Sequence, residues 1–359
     1  MRTIILTSRI QALRNGFEKK RLDGYIVAHE TNILYFTNAV GAARLLIPAK
    51  GENVLYVYGV NYEAAKAEAK DCRVELVKRG EDADKKAAEQ AKKLKLKNVG
   101  FDALDASLYL KLKKAMKGAK LKALSQLVWD LRKVKDETEL GYMRKAAELT
   151  DKGAEAALEA IKPGAREYEA AAEIEYAMRK LGSEGLAFDT IVASGPRSAY
   201  PHGGCTEQKI KKGTFIVLDV GARYRYYRAD LTRTFLVGKP TPKQEKIYEV
   251  VEQAQEAAFQ SIRAGVRGRG IDAVARKLIE KEGYGKYFVH GLGHGVGLDV
   301  HEPPTMNPDG KERLKVGNIV TDEPGIYIVG FGGVRIEDSV LVHRNKGERL
   351  TRAAYDLAI

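Results

Sequence analysis

Phe215-Ile216-Val217-Leu218-Asp219-Val220-Gly221 is an apolar run that ends on a carboxylate, and Asp230 follows eleven positions after Asp219. A short apolar run bounded by glycine reads as a buried strand, and the return to a second acid reads as a hairpin. A second segment has the same form: Ile319-Val320-Thr321-Asp322-Glu323-Pro324-Gly325, with Glu337 fourteen positions after Glu323. Each segment sets one carboxylate at a strand end and another on the returning strand. This weak internal repeat predicts two halves facing each other across a pseudo-two-fold axis, so that four carboxylates converge.

Helical patterns flank these strands. Asp136 and Glu139 have the spacing of an N-cap with its reciprocal acid, opening a helix that runs toward residue 161, where Pro163-Gly164 stops it. Further helices are predicted over 165–182, 246–264 and 270–283. Antiparallel strands backed by helices make residues 130–359 an α+β domain. Residues 1–129 differ in character. Short apolar runs at Gly24-Tyr25-Ile26-Val27-Ala28, Leu45-Leu46-Ile47-Pro48 and Val54-Leu55-Tyr56-Val57-Tyr58, with a helix through 61–70, predict a separate α/β domain. A chain of 359 residues exceeds what one hydrophobic core usually supports, in keeping with two domains.

Composition narrows the function classes. With 44% hydrophobic and 30% charged residues, the chain has no apolar run approaching the roughly 18 residues of a membrane helix. The start, Met1-Arg2-Thr3-Ile4-Ile5-Leu6, has too short an apolar stretch for a signal peptide, so a cytoplasmic location is expected. Cys72 and Cys205 cannot build a disulfide framework and read as ordinary thiols; Cys205 lies near His202 in sequence, but a nucleophile also needs an oriented base. The net charge of +13 is lopsided: residues 1–130 hold 25 Lys/Arg against 15 Asp/Glu, a net +10, leaving +3 for the rest. The lysines from Lys85 to Lys122 interleave with Ala and Leu, as on solvated faces of amphipathic helices. No aromatic stacking pattern accompanies them, which argues against nucleic acid.

Four carboxylates in one apolar-framed site repel one another, and their ionisation is prohibitively costly without cations. Oxygen ligands plus an imidazole suit Mn²⁺, Co²⁺, Fe²⁺ or Zn²⁺. A bridging carboxylate holds two ions about 3.5–4 Å apart, and water between them becomes a nucleophile near neutral pH. Three of the six histidines fall in His290-Gly291-Leu292-Gly293-His294-Gly295-Val296-Gly297-Leu298-Asp299-Val300-His301. Its four glycines predict extended backbone rather than a metal-binding helix.

The order Ser194-Gly195-Pro196-Arg197-Ser198-Ala199-Tyr200-Pro201-His202-Gly203, Asp219, Asp230-Leu231-Thr232-Arg233-Thr234, the His294 segment, Glu323-Pro324-Gly325-Ile326-Tyr327 and Gly333-Val334-Arg335-Ile336-Glu337-Asp338 resembles one family. It is that of the "pita-bread" metallopeptidases, which includes methionine aminopeptidase, aminopeptidase P, prolidase and creatinase. The resemblance extends before Trp129 to the amino-terminal domain of the prolidase, aminopeptidase P and creatinase branch. It implies hydrolysis of Xaa-Pro peptide bonds in proline-containing peptides, as a prolidase-like dipeptidase or an aminopeptidase P-like enzyme on longer peptides. It also implies a homodimer and two divalent ions, Mn²⁺ or Co²⁺ before Fe²⁺ or Zn²⁺, on Asp219, Asp230, His294, Glu323 and Glu337. All five positions carry the family's residue types, which argues against an inactive peptidase fold used only for binding.

By the same resemblance Glu323 is both ligand and general base. His202 and His301 steady the tetrahedral intermediate and help the proline nitrogen leave, and which of them gives the proton stays open. Phe188, Val300 and His301 line the pyrrolidine pocket, His290 shapes the substrate site, and Arg335 orients either the carboxylates or the substrate. One position departs from the pattern. Dipeptide-specific members often carry an arginine after the His-Glu-x-Pro string, whereas His301-Glu302-Pro303-Pro304 is followed here by Thr305. That weakens strict dipeptidase action and leaves longer substrates open.

Overall fold

The computed structural model describes residues 8–359; the amino-terminal run Met1–Leu6 discussed above lies outside them. The chain divides into two compact units between Arg132 and Lys133. The division follows Arg132 rather than Trp129 because the helix Gln126–Arg132 continues past the tryptophan.

In the first unit a six-stranded sheet runs Arg73–Val77, Val54–Tyr58, Arg44–Pro48, Gly24–Val27, Asn98–Phe101 and Lys120–Ala123. The middle strand Gly24–Val27 is fully buried, pairs antiparallel with Arg44–Pro48 and parallel with Asn98–Phe101. Continuous apolar runs rather than alternation are what a strand covered on both faces requires. The helix Ala83–Lys93 buries Ala83, Ala87, Ala88 and Ala91, while Lys85, Lys92 and Lys93 are exposed on its other face. The lysine run is thus a solvated helix face in this element.

The second unit repeats one plan. Two packed helices, Glu137–Ala160 and Glu167–Lys180, precede the antiparallel strands Ile191–Ser194, Phe215–Val220 and Leu231–Leu236. Two more, Pro242–Ser261 and Gly268–Lys281, precede a five-stranded sheet that pairs Ile319–Asp322 with Asp338–Val342. The first helix opens on the capping box read from sequence: Asp136 accepts from the Glu139 N–H and Glu139 from the Asp136 N–H, both at 2.9 Å. Its last turn gives way at Ile161, ahead of Pro163.

The third helix begins four residues before the predicted 246, because Thr241 and Gln244 cap each other reciprocally and Pro242 takes the first turn. Ile216, Leu218, Leu231 and Phe235 pack one core, Val320, Val334, Ile336 and Val340 another, with helix residues such as Ile174 and Val251 covering them. The two halves join where the Glu337 N–H donates to the Thr232 carbonyl at 3.0 Å. Among the described residues no helix is long and apolar enough to cross a membrane.

Candidate metal centre

Asp219 lies on the strand Phe215–Val220, directly across from Thr232, and Asp230 immediately precedes the returning strand. In the other half Glu323 follows the strand Ile319–Asp322, and Glu337 precedes Asp338–Val342. Both hairpins therefore present their acids at the same end. His294 comes from Gly293–Gly295, a strand wedged between Glu302–Met306 and Ile319–Asp322. Only glycine fits on either side of it: a Cβ on Gly293 would sit 2.1 Å from the Thr321 carbonyl oxygen, and one on Gly295 would sit 2.5 Å from that of Pro303. The extended backbone predicted for this segment is what the sheet contains.

Asp230, His294 and Glu337 offer ligand atoms within 4.8 Å of one another. Asp219 and Glu323 line the same cleft, whose volume is about 620 Å³. The His294 ring has a definite orientation. Its Nδ1 lies 3.0 Å from the Gly295 carbonyl, which can only accept, so Nδ1 carries a proton and Nε2 points at Glu323 Oε1, 3.2 Å away. Nε2 is thus the atom free for a metal. Thr321 links His294 to Glu323, accepting from the His294 N–H and donating to Glu323, each at 3.0 Å.

Burial makes these acids hard to ionise together. Burial first, and then the charge of Asp219, pushes Asp230 well above the carboxylate range; burial and Asp230 do the same to Glu337. Asp219 also rises through burial, although Arg335 opposes the shift. Burial works against charge on Glu323 and His294 too, but their mutual hydrogen bond and attraction win, drawing Glu323 down to about 2 and His294 up to about 9. Asp219 Oδ1 and Glu337 Oε1 are buried with no hydrogen-bond partner. Orphaned carboxyl oxygens beside an imidazole nitrogen are the donor set a divalent cation satisfies, so the residues fit the metal group the sequence implies.

Arg335 faces the carboxylates. It donates to Asp219 Oδ2 at 2.6 Å, to Thr232 Oγ1 at 3.0 Å and to the Tyr327 hydroxyl at 2.9 Å. Thr232 in turn donates to Glu337 Oε2 at 2.7 Å, so one guanidinium orients two of the acids. Burial opposes its charge, but Tyr327 and the surrounding acids hold its pKa well above the usual value. His290 Nδ1 meets the Gly291 carbonyl at 2.7 Å, leaving Nε2 to accept from Tyr327 at 2.9 Å. Phe188, His202, Val300 and His301 line the cleft beyond, and the His301 ring stands edge-on to His294 with centroids 4.3 Å apart. Burial, followed by the His294 charge, lowers the His301 pKa.

Every residue singled out for the site from sequence lines this one cleft. Thr232, Thr321 and Tyr327 were not singled out. Period-two spacing held a signal for Thr321, two residues before Glu323 on the same strand face. Cys205 plays a structural part: its thiol donates to the Thr190 carbonyl at 3.0 Å, and burial raises its pKa.

Comparison with known proteins identifies the family. Residues 141–344 match metallopeptidase family M24, and residues 9–134 match the creatinase/prolidase N-terminal domain. A Xaa-Pro dipeptidase of Pyrococcus horikoshii is 40% identical over 354 residues, 98% of this chain and 99% of that protein. The structure of a Xaa-Pro dipeptidase from Bacillus anthracis superposes with a TM-score of 0.92 at 38% identity, covering 98% of this chain and 99% of that one. An X-Pro aminopeptidase from Thermotoga maritima superposes with a TM-score of 0.86 at 34% identity, covering 95% and 100%. The chain belongs to metallopeptidase family M24 and carries that family's catalytic domain behind a creatinase/prolidase N-terminal domain.

Proposed function

We propose that this chain hydrolyses Xaa-Pro peptide bonds, with two divalent ions, Mn²⁺ or Co²⁺, held by Asp219, Asp230, His294, Glu323 and Glu337. The observation that carries the reading is the single cleft in which these five groups meet Phe188, Val300, His202 and His301. The Xaa-Pro dipeptidase relative matched over nearly the whole chain supports it. When bound, the ions supply Lewis acidity toward the scissile carbonyl and lower the pKa of water.

The chain's own residues do the rest. Glu323, steered by the Thr321 hydroxyl, accepts the proton of the attacking water. His202 and His301 face the carbonyl oxygen and the departing proline nitrogen. A bond to proline is a tertiary amide with no N–H to hold, so recognition falls to the apolar walls Phe188 and Val300 and to His290, fixed by Tyr327. Arg335 holds Asp219 and, through Thr232, Glu337 in the orientation the ions need.

A second reading, aminopeptidase action on Xaa-Pro-Yaa peptides, is favoured by the cleft wall. Thr305 and Asn307 line it, and the only arginine there, Arg335, is engaged by Asp219. A dipeptide's free carboxylate meets no unpaired guanidinium or ammonium among these lining residues. The test is a panel of Xaa-Pro, Xaa-Pro-Yaa and proline-free peptides with Mn²⁺ or Co²⁺ supplied. Cleavage confined to proline-free peptides would overturn the proline assignment, and the ratio of the first two rates separates dipeptidase from aminopeptidase. Retention of fewer than about one ion per chain after reconstitution counts against two-metal chemistry. A cytoplasmic homodimer accompanies this proposal, checked by fractionation and light scattering.

A further inference from the structure

Glu167 takes no part in the chemistry above, yet its carboxylate is fully buried. Its Oε1 accepts the Ser194 N–H at 2.7 Å and the Ser194 hydroxyl at 2.9 Å. Its Oε2 accepts the Thr206 N–H at 2.9 Å, the Thr206 hydroxyl at 2.6 Å and Arg197 Nε at 3.3 Å. Five donors fill the lone-pair positions of an ionised carboxylate, which makes its burial tolerable and its contacts strong.

The donors are not scattered. Ser194 closes the strand Ile191–Ser194, and Thr206 lies at the far end of the loop that follows. Between them run the 3₁₀ turn Gly195–Ala199 and then Tyr200, Pro201, His202 and Gly203. Arg197 extends the same hold, because its guanidinium also donates to the Gly203 carbonyl, on the residue after His202. From the other side Arg335 donates to the Pro201 carbonyl at 3.3 Å. Peptide groups flanking His202 are thus held by two arginines, one anchored on Asp219 and the other on Glu167. Among the described residues no hydrogen bond fixes the exposed His202 ring, so the loop backbone sets where its Cβ stands at the cleft.

We infer that Glu167 is a positioning residue that places His202 by stapling both ends of its loop. The catalytic consequence rests on the proposed role of His202 at the scissile bond; the positional claim does not. A Glu167→Gln side chain offers one acceptor oxygen and an NH2 group with two donors where five donors converge, so at least one strand of the staple opens. A displacement of about 1 Å in a reacting group costs up to about 100-fold.

The experiment combines amide hydrogen exchange with steady-state kinetics on metal-loaded protein. Glu167→Gln should exchange the 195–206 amides at least about tenfold faster while those of 319–342 are unchanged, lower kcat about 10- to 100-fold and leave KM within about threefold. In a His202→Ala background the same substitution should cost no further activity. Unchanged exchange in 195–206 overturns the staple, and so does a full additive loss in the double variant. If His202→Ala is as active as the wild type while the exchange result holds, the staple stands and the role of His202 falls. Should Glu167→Gln fail to fold, Arg197→Gln removes the limb that runs from Glu167 to Gly203 and leaves the Ser194 and Thr206 contacts in place, and faster exchange confined to 200–206 with the same non-additive kinetics is the expected result; wild-type exchange there overturns the inference.

Discussion

Arg335 and Asp322 show two opposite fates of a buried charge. Arg335 is surrounded by acceptors that outweigh its desolvation, and it orients Asp219 and Glu337 rather than binding solvent. Arg335→Met should therefore fold but lower metal affinity about 10- to 100-fold, as loss of an outer partner of a metal ligand does; unaltered affinity in a chelator-competition titration would contradict this. Asp322 has no such compensation. It is fully buried, neither carboxylate oxygen has a hydrogen-bond partner, and Asp338 faces it across the strand pair. Burial, then the Asp338 charge, pushes its pKa well above the carboxylate range. An acid with a raised folded pKa ionises first in the unfolded chain, so it erodes stability progressively as pH rises above about 4. Asp322→Val should raise stability by about 1–3 kcal/mol, with the larger gain at pH 8 than at pH 5 in urea denaturation. A variant less stable than the parent at both pH values would refute it.

At the scale of elements, the strand Gly293–Gly295 decides whether His294 reaches the other proposed ligands. Gly293→Ala drives a Cβ into the Thr321 backbone, so the strand must shift away from Ile319–Asp322. Metal affinity should drop at least about tenfold, and titration of the purified variant measures it; a wild-type isotherm would show that the sheet absorbs the methyl. The extended conformation was legible because glycine at alternate positions cannot sustain a helix, and the first helix was legible because Asp136 and Glu139 carry their cap in the sequence. Other boundaries were hidden. The apolar stripe of the third helix strengthens at Ile247, whereas its true start depends on the Thr241–Gln244 exchange of hydrogen bonds. Thr232 and Tyr327 escaped notice because their roles come from register: Thr232 stands opposite Asp219, and Tyr327 opposite Gly333 beside Arg335. The proposed ligands stand out in the sequence by charge, while their supports depend on pairings separated by many residues.

For the whole molecule, metal and pH act on the same balance. In metal-free protein Asp230 and Glu337 have raised pKa values, so the unfolded chain releases their protons first and stability falls as pH climbs above about 4. His294 acts in the same direction for a different reason. Held up at about 9 by Glu323 against its own burial, it stabilises the fold fully below about 6.5 and loses that contribution as pH rises through 9. Glu323, drawn down to about 2, adds stability above about 4.5 that disappears only in acid, outside this window. Divalent ions at the proposed site would replace the proton on His294 and those shared by the acids. Loading should therefore release protons at pH 7, seen as a binding enthalpy that changes with the ionisation enthalpy of the buffer. It should also stabilise the second unit, where the proposed ligands lie, by about 2.7 kcal/mol at a hundredfold excess over Kd, and not the separate core of the first. Calorimetry from pH 6 to 9 is the test: the gap between loaded and metal-free protein should widen with pH. A gap that narrows would mean that ligand repulsion is not what the ions relieve.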